Sequence, residues 1–311
     1  MADVRAFDEA DAEEAAALLV ERHERHRAVQ PLLAPVEDAR ADIDTAWKSE
    51  GAAGAVALVD GRLVGFLIGA VRENEWWGRH VWVGLAGHAT REPDLVRDLY
   101  RFTAERWVED GAELHVALVP AVPELAEPWF RLAFAHMQAH GIRESGVEER
   151  PLPDGISVRF GTIDDLRATP ALVTQIWDHH TGASTFTGLT VPPVEDFLAD
   201  WQRTLETSGV AYFVAEREGR VVGHLLLEPE APDLARPPGS IYLAVAATLT
   251  EARGRGAGVA LTERALAWAK EAGYETVQTD WRVANLESSR FWPRRGFRET
   301  FYRLARRVNI G

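Results

Sequence analysis

Residues 251–273 read EARGRGAGVALTERALAWAKEAG, and this stretch decides how the second half of the chain folds. Three glycines, Gly254, Gly256 and Gly258, alternate with other residues directly before an amphipathic helix pattern. Glycine has no Cβ atom, so a ligand can approach its backbone closely. A helix N-terminus adds unpaired N–H groups and a positive dipole end. A strand, a glycine turn and a helix start therefore predict a site for an anion, usually a phosphate.

Three kinds of phosphate-binding loop contain such glycines, and the neighbouring residues separate them. A P-loop ends in Gly-Lys-Ser/Thr, whereas this loop continues GAGVAL, with neither lysine nor hydroxyl there. A dinucleotide fingerprint G-x-G-x-x-G fails in both registers, because its last glycine would fall on Val259 or Leu261. The remaining pattern is Arg-x-x-Gly-x-Gly, formed by Arg253, Gly256 and Gly258.

A second motif follows one helix and one strand later, where residues 285–297 read NLESSRFWPRRGF. Together the two motifs resemble those of the GNAT acetyltransferase superfamily, whose members commonly show Asn-x-x-Ala-x-x-Leu-Tyr-x-x-x-Gly-Phe at this distance. The resemblance covers most of residues 158–308. It implies an N-acetyltransferase that moves an acetyl group from acetyl-CoA directly to an amine of a small molecule or peptide in a ternary complex.

The resemblance also implies which residues hold acetyl-CoA, the co-substrate, and it implies no metal. Backbone N–H groups of the loop would bind the pyrophosphate, Asn285 would bond the pantetheine arm, and Phe291 would pack beside it. A bulged strand at residues 243–248 would offer an amide N–H to the thioester carbonyl. The residues implied to contact acetyl-CoA are Leu249, Arg253, Gly254, Arg255, Gly256, Ala257, Gly258, Asn285, Ser288, Phe291 and Trp292.

One position departs from the family pattern. The tyrosine that protonates the departing thiolate is matched by Trp292, and an indole N–H has no accessible pKa for that step. Ser288, Tyr302 or water would then donate the proton, or the thiolate would leave unaided. The departure leaves an alternative open, a non-catalytic acyl-CoA-binding regulatory module.

An ammonium acceptor must lose a proton, so a general base is expected as well. The candidates are Asp280 and Glu228, at the ends of predicted strands, and Tyr242 acting through a water. Asp280 ranks first, because the family places its strand beside the cofactor. A solvated strand end or a cap is the alternative explanation for each carboxylate.

The acceptor is expected at the loop after the first helix of the second half. There Asp178 would attract an ammonium group and Phe186 would offer an apolar contact, although an ordinary surface loop is the alternative. The adjacent His179 and His180 are interpreted as a helix C-terminus, where histidine suits the dipole. Their side chains point in different directions on a helix, so a shared metal is not expected.

The first half of the chain repeats the second. VDGRLVGFLIGA at residues 59–70 resembles REGRVVGHLLLE at residues 217–228, and further pairs follow in the same order. We therefore predict an α+β (mixed α/β) protein with two tandem acetyltransferase-like domains, residues 1–147 and 156–311. Each domain would be a mixed, mostly antiparallel sheet flanked by helices.

The first copy has lost the motif residues. The segment REPDLV lies opposite RGRGAG, so Glu92, Asp94 and Val96 replace the three glycines, and two carboxylates would repel a pyrophosphate. Pro123 falls opposite Asn285. The first domain is thus predicted to be degenerate, supporting the second or lining its acceptor pocket. Its charged segment ERHERHR, residues 21–27, is interpreted as a solvated helix face.

The charge and the cysteine content of the chain limit which ligands and partners it can bind. The 311 residues carry a formal net charge of −14 and no cysteine, which excludes disulfides and thiolate metal sites. So acidic a chain is a poor partner for nucleic acid or anionic membrane, and it suits a cationic acceptor. The N-terminal segment lacks a signal-peptide core, and no apolar run approaches the ~20 residues of a membrane span. A cytoplasmic monomer or homodimer is expected.

Overall fold

A computed structural model describes residues 2–146, 151–182 and 193–308 of the chain. The chain divides into two units. Unit 1 comprises Met1–His140, Asp233–Ala235 and Glu299–Gly311, and unit 2 comprises Gly141–Pro232 and Arg236–Arg298. Each unit combines a mixed, mostly antiparallel sheet with helices, which confirms the predicted fold class.

Unit 1 is formed mainly by the first half of the chain. Its elements are β1 (Asp3–Ala6), α1 (Ala12–Val29), α2 (Ala39–Trp47), β2 (Ala52–Val59), β3 (Arg62–Asn74), β4 (Gly78–Val83), β5 (His88–Thr90), α3 (Leu95–Glu109), β6 (Leu114–Pro120), α4 (Pro123–Arg131) and β7 (Ala135–Glu144), whose residues after His140 belong to unit 2. Strands β1 to β4 pair antiparallel in sequence order, and β4 pairs with β6 in parallel.

Hydrophobic side chains cover both faces of the unit 1 sheet. Trp107 of α3 and Trp129 of α4 belong to one buried cluster, whereas Leu19 of α1 belongs to a second cluster with Phe7 and Phe66. Full burial of such a side chain is worth about 1.5–3 kcal/mol. These two clusters hold the helices against the sheet.

The predicted solvated face of α1 is wrong. Arg22, His23 and His26 are each at most 2% exposed. Charged or titratable residues lie on both the buried and the exposed side of this helix, so the sequence pattern does not show which side faces solvent. The segment EPWFRLAFAHMQAHG, residues 127–141, has the apolar face of a helix in sequence, but α4 ends at Arg131 and β7 begins at Ala135.

Unit 2 has the elements that position the glycine loop. They are β8 (Ile156–Phe160), α5 (Ile163–Ala168), α6 (Pro170–Gly182), α7 (Val194–Leu205), β9 (Ala211–Arg217), β10 (Arg220–Glu228), β11 (Ser240–Thr248), α8 (Ala257–Glu271), β12 (Thr276–Arg282) and α9 (Leu286–Arg294). Strands β8 to β11 pair antiparallel in sequence order. The helix predicted after β8 is divided in two, because Pro170 disfavours a helical conformation at the residue before it.

Strands β11 and β12 separate after a short pairing. They are parallel, and their register joins only Ser240–Tyr242 with Thr276–Gln278. Both strands then continue, β11 to Thr248 and β12 to Arg282. The facing edges beyond Tyr242 and Gln278 are therefore not joined by ladder pairs, and this gap is where a ligand could meet exposed backbone groups.

The final strand, β13 (Arg298–Arg307), completes the sheet of unit 1. Residues from Phe301 to Arg307 pair antiparallel with β6, from Pro120 back to Leu114. By its position in the chain, this strand falls within residues 156–311, the second predicted domain. Among the described residues, no helix has both the length and the apolar character needed to cross a bilayer.

Candidate functional site

The glycine loop leads directly into helix α8. Gly256 precedes the helix with a φ of +91°, in the left-handed region that favours glycine, and no side chain of the described residues caps this helix. A Cβ at Gly258 would lie 3.6 Å from Thr248 Oγ1 and 3.7 Å from the Phe291 ring. The first N–H groups of α8 are thus presented by small residues, as an anion cradle requires.

Gly256 has a second constraint that the sequence did not reveal. A Cβ at this position would stand 2.5 Å from Cγ of Pro153, a residue between the two predicted domains. A side chain at residue 256 would therefore displace Pro153 as well as strain the backbone. Gly258 is the better position for probing ligand contact alone.

Charged residues surround the loop. Arg253 forms an ion pair with Glu287 at the start of α9, with 3.0 Å between Nη1 and Oε2, while Arg255 is exposed. A pocket of about 340 Å³ lies between the start of α8 and α9. Its lining residues are Val259, Leu286, Glu287, Arg290, Phe291, Arg294 and Arg295. The three additional arginines make this pocket suitable for further phosphate groups.

Asn285 is the N-cap of helix α9. Its Oδ1 accepts hydrogen bonds from the backbone N–H groups of Glu287 and Ser288, at 3.1 and 3.3 Å, and lies 3.1 Å from His179 Nε2. The hydroxyl of Ser288 donates to the Asn285 carbonyl oxygen. Since Oδ1 is engaged in these bonds, a contact to pantetheine would use the amide NH₂ group of Asn285.

Trp292 is packed into the interior of unit 2. It is 6% exposed, and its ring centroid lies 5.0 Å from that of Phe291 and 5.3 Å from that of Phe297. Trp292, which stands where the family has tyrosine, thus packs against the aromatic rings of Phe291 and Phe297. Tyr302, considered as a substitute acid, belongs to unit 1, where its hydroxyl donates to Glu299.

The three residues predicted as catalytic lie together at the start of the gap. The Tyr242 hydroxyl donates to Asp280 Oδ2 across the gap at 2.8 Å, and Glu228 is the cross-strand partner of Tyr242. Glu228 is half-buried, and burial together with the charge of Glu230 raises the pKa of its carboxyl group. A carboxylate of raised pKa is a better proton acceptor near neutral pH than an ordinary one.

Two histidines of the last turn of α6 belong to the same region, a placement that the sequence did not predict. His179 lies beside Asn285, and His180 is half-buried near Asp280 and Arg282. Burial lowers the pKa of His180 to about 4, with Arg282 and His179 acting in the same direction and Asp280 opposing them. His180 is therefore neutral at pH 7. The only sequence signal was the histidine pair itself, which suits a helix C-terminus equally well.

The expected strand bulge is present in β11. The β10–β11 register shifts, because Leu226 pairs with Val245 and Leu227 with Leu243. Ala244 is the extra residue between these pairs, two positions beyond Tyr242, the last residue of β11 that pairs with β12. A bulge re-aims backbone groups, so β11 can direct an amide into the gap at this point.

The predicted acceptor residues are only partly described. Asp178 is exposed on α6, and its Oδ2 accepts a hydrogen bond of 2.8 Å from the Thr174 hydroxyl. Phe186 lies outside the described residues. A role for either residue in acceptor binding stays a prediction.

In unit 1, the loop that corresponds to the glycine loop in the repeat carries charged side chains in place of glycines. Asp94 precedes α3 and lies 3.3 Å from Arg97 and 3.6 Å from Arg131, both exposed ion pairs. Asp94 thus places a carboxylate, paired with two arginines, at the start of a helix where the second copy presents glycines. The geometry agrees with the loss of the anion cradle in the first copy.

Comparison with known protein families gives one match. Residues 174–297 match the profile described as the acetyltransferase (GNAT) family, and this range contains the glycine loop and the second motif. Among curated protein sequences, none matches the chain.

Solved structures share the fold of the whole chain. A GCN5-related N-acetyltransferase from Sphaerobacter thermophilus superposes with a TM-score of 0.60 at 16% identity, covering 98% of this chain and 95% of that one. A tandem GNAT protein from the clavulanic acid biosynthesis pathway superposes with a TM-score of 0.51 at 13% identity, and the match covers 100% of this chain and 99% of that one. A glucosamine N-acetyltransferase region of a fungal multi-domain β-N-acetylglucosaminidase superposes with a TM-score of 0.53 at 16% identity, and the match covers 98% of this chain and 38% of that one. At these identities the likeness concerns the fold.

Proposed function

Because the second half of this chain carries a domain of the acetyltransferase (GNAT) family, we propose that the protein transfers an acetyl group from acetyl-CoA to an amine of a small molecule or peptide. The observation that carries the proposal is the gap between β11 and β12. It begins at Tyr242, which bonds Asp280 and is the cross-strand partner of Glu228. The glycine cradle follows the end of β11.

The cradle would hold the donor. Backbone N–H groups at the start of α8 and the exposed Arg255 would bind the pyrophosphate, and the pocket beside α9 would take the nucleotide phosphates through its arginines. The thioester would then lie along β11, where the bulge at Ala244 offers backbone donors to the carbonyl oxygen.

The residues at the gap would prepare the acceptor. An amine that enters as an ammonium group is attracted by the carboxylates of Glu228 and Asp280, and Tyr242 keeps Asp280 in place. Glu228 would accept the proton, because its raised pKa brings it closer to the working pH. The neutral amine then attacks the thioester carbonyl, the C–N bond forms as the C–S bond breaks, and the departing thiolate takes up, directly or through water, the proton that the nitrogen loses. Positioning of the two substrates supplies much of the rate.

The repeats belong to the same proposal. Residues 1–147 would be the copy without acyl-CoA chemistry, and residues 156–311 the copy that binds acetyl-CoA. This assignment follows from the carboxylates in the loop of the first copy and the glycines in the loop of the second.

The test is acetyl-CoA turnover by the full chain. Release of free thiol is followed with a chromogenic thiol reagent against a panel of primary amines, and acetyl-CoA binding is measured by calorimetry in parallel. Turnover with at least one amine, abolished when the amine is omitted, supports the enzyme. Tight binding of one acetyl-CoA per chain without turnover of any amine would favour the non-catalytic module, which the buried Trp292 would suit. Two equal binding sites per chain would contradict a degenerate first copy.

A further inference from the structure

Arg22 of α1 is buried in the interior of unit 1. Its side chain is 2% exposed, and Nη1 donates to the carbonyl oxygens of Leu85 and His88, at 2.7 and 2.6 Å. These two carbonyls flank the turn between β4 and β5. In unit 2 the repeat has an unbroken strand, β11, at this place. The guanidinium group thus occupies a break in the strand that is specific to the first copy.

The charge of this guanidinium group is not neutralised by the described part of the chain. Burial lowers the pKa of Arg22 to about 9, so the group is still charged at pH 7. The neighbouring His26 and His88 have pKa values lowered to about 3, mainly by burial, so both are neutral. No described carboxylate forms an ion pair with Arg22. A buried charge without a partner costs several kcal/mol, which an anion would offset.

The donors of Arg22 that remain have the geometry of a carboxylate site. Nε and Nη2 are buried and have no hydrogen-bond partner among the described residues. These two N–H groups lie parallel on one edge of the guanidinium plane, and they match the two oxygens of a carboxylate. A single carboxylate would satisfy both donors and neutralise the charge.

The surroundings of Arg22 combine polar atoms with apolar walls. Nδ1 of His26 and Oε1 of Gln30 are buried without a partner among the described residues. His26 lies one turn after Arg22 on α1, and Gln30 directly follows the helix. Leu33, Leu85 and Phe301 form an apolar cluster at this place. The Phe301 ring lies 4.8 Å from the His26 ring. Such walls suit a short apolar tail and would not solvate a doubly charged ion.

We propose that unit 1 contains a buried site for a small monocarboxylate of the size of formate or acetate, whose two oxygens accept hydrogen bonds from Nε and Nη2 of Arg22. The site is independent of the acetyl-CoA cradle, because none of its residues belongs to unit 2. The first copy would then have replaced an acyl-CoA gap by a buried anion that stabilises its fold.

The experiment measures the thermal stability of the full chain after unfolding and refolding. Refolding allows a ligand to enter a closed interior. The buffer contains a bulky sulfonate, which is replaced by formate, acetate or chloride at constant ionic strength. We expect formate or acetate at 100 mM to raise the Tm by about 4 °C or more. In Arg22→Met the rise should vanish, whereas Arg25→Met, an exposed arginine on the same helix, should retain it.

A second measurement covers the case in which Arg22→Met does not fold. The wild-type chain is refolded with ¹³C-labelled acetate or formate and freed of excess ligand, and the ligand released by acid denaturation is counted by mass spectrometry. About one labelled carboxylate per chain supports the site. Less than about a tenth per chain with either acid, a rise of Tm with chloride alone, or an equal rise in Arg22→Met would overturn it. These readouts do not use acetyl transfer, so they are separate from the test of the enzyme.

Discussion

Replacing Glu228 by glutamine tests the proposed general base most directly. Glutamine keeps the shape and the hydrogen-bonding oxygen of the side chain but cannot accept a proton. Loss of a general base typically costs a factor of 10² to 10⁴ in rate, which corresponds to about 2.7–5.5 kcal/mol in the activation free energy. We expect kcat/KM for the amine to fall within this range, while acetyl-CoA affinity changes little, because Glu228 lies on β10 and not in the cradle.

The pH dependence makes the prediction sharper. Burial and the charge of Glu230 raise the pKa of Glu228 above its ordinary value. As the pH falls through that raised pKa, the base becomes protonated, so wild-type kcat/KM should fall on the acidic side. Glu228→Gln should lack this limb. The assay is thiol release at saturating acetyl-CoA over a pH series in which stability is checked separately.

Glu230→Gln is the matched control for this pH profile. Glu230 raises the pKa of Glu228, and it also pairs with Arg236. Neutralising Glu230 should therefore lower the pKa of Glu228 and move the acidic limb to lower pH with activity retained. An acidic limb that is unchanged in both variants would refute Glu228 as the base and transfer the role to Asp280 or His180.

The other predictions concern the cradle, the packing residue and the acceptor. Gly258→Ala should weaken acetyl-CoA binding by about tenfold or more in calorimetry without lowering the Tm, because its Cβ has ordinary contacts and an acceptable φ; unchanged affinity would place the pyrophosphate elsewhere. Trp292→Phe should keep most of the activity, whereas Trp292→Ala should destabilise the fold by about 3–5 kcal/mol in denaturant titration; complete loss of kcat in a folded Phe variant would show a chemical role. Asp178→Ala should raise KM for the amine and leave acetyl-CoA affinity unchanged, and an unaltered KM would separate Asp178 from the acceptor site.

The sequence predicted the fold class and the glycine turn at a helix start because both depend on local patterns. Gly254, Gly256 and Gly258 occupy every second position at one helix start, and Asn285 stands at the start of the next helix. Each of these positions can be recognised without knowing what lies opposite in space. The repeated hairpin segments likewise needed only comparison of one half of the chain with the other.

Contacts between distant parts of the chain were decided by the tertiary structure. Tyr242 meets Asp280 because two parallel strands separate after three pairs, and nothing in either strand's own sequence records where that separation begins. His180 reaches this point because α6 ends there, although the histidine pair could equally have stabilised a helix end. Packing of unit 1 likewise buried Arg22, whose charged neighbours in the sequence predicted a solvated face.

The pairing of the last strand shows the same division. Thr300, Phe301 and Tyr302 are residue types that favour a strand over residues 298–307, and this preference depends only on the segment itself. Which strand it joins is a separate matter, because any strand edge of suitable register offers the same backbone groups. The sequence by itself therefore determined the glycine loop and the two repeats. Only the folded structure decided that β13 pairs with β6 and that Glu228, Tyr242 and Asp280 come together.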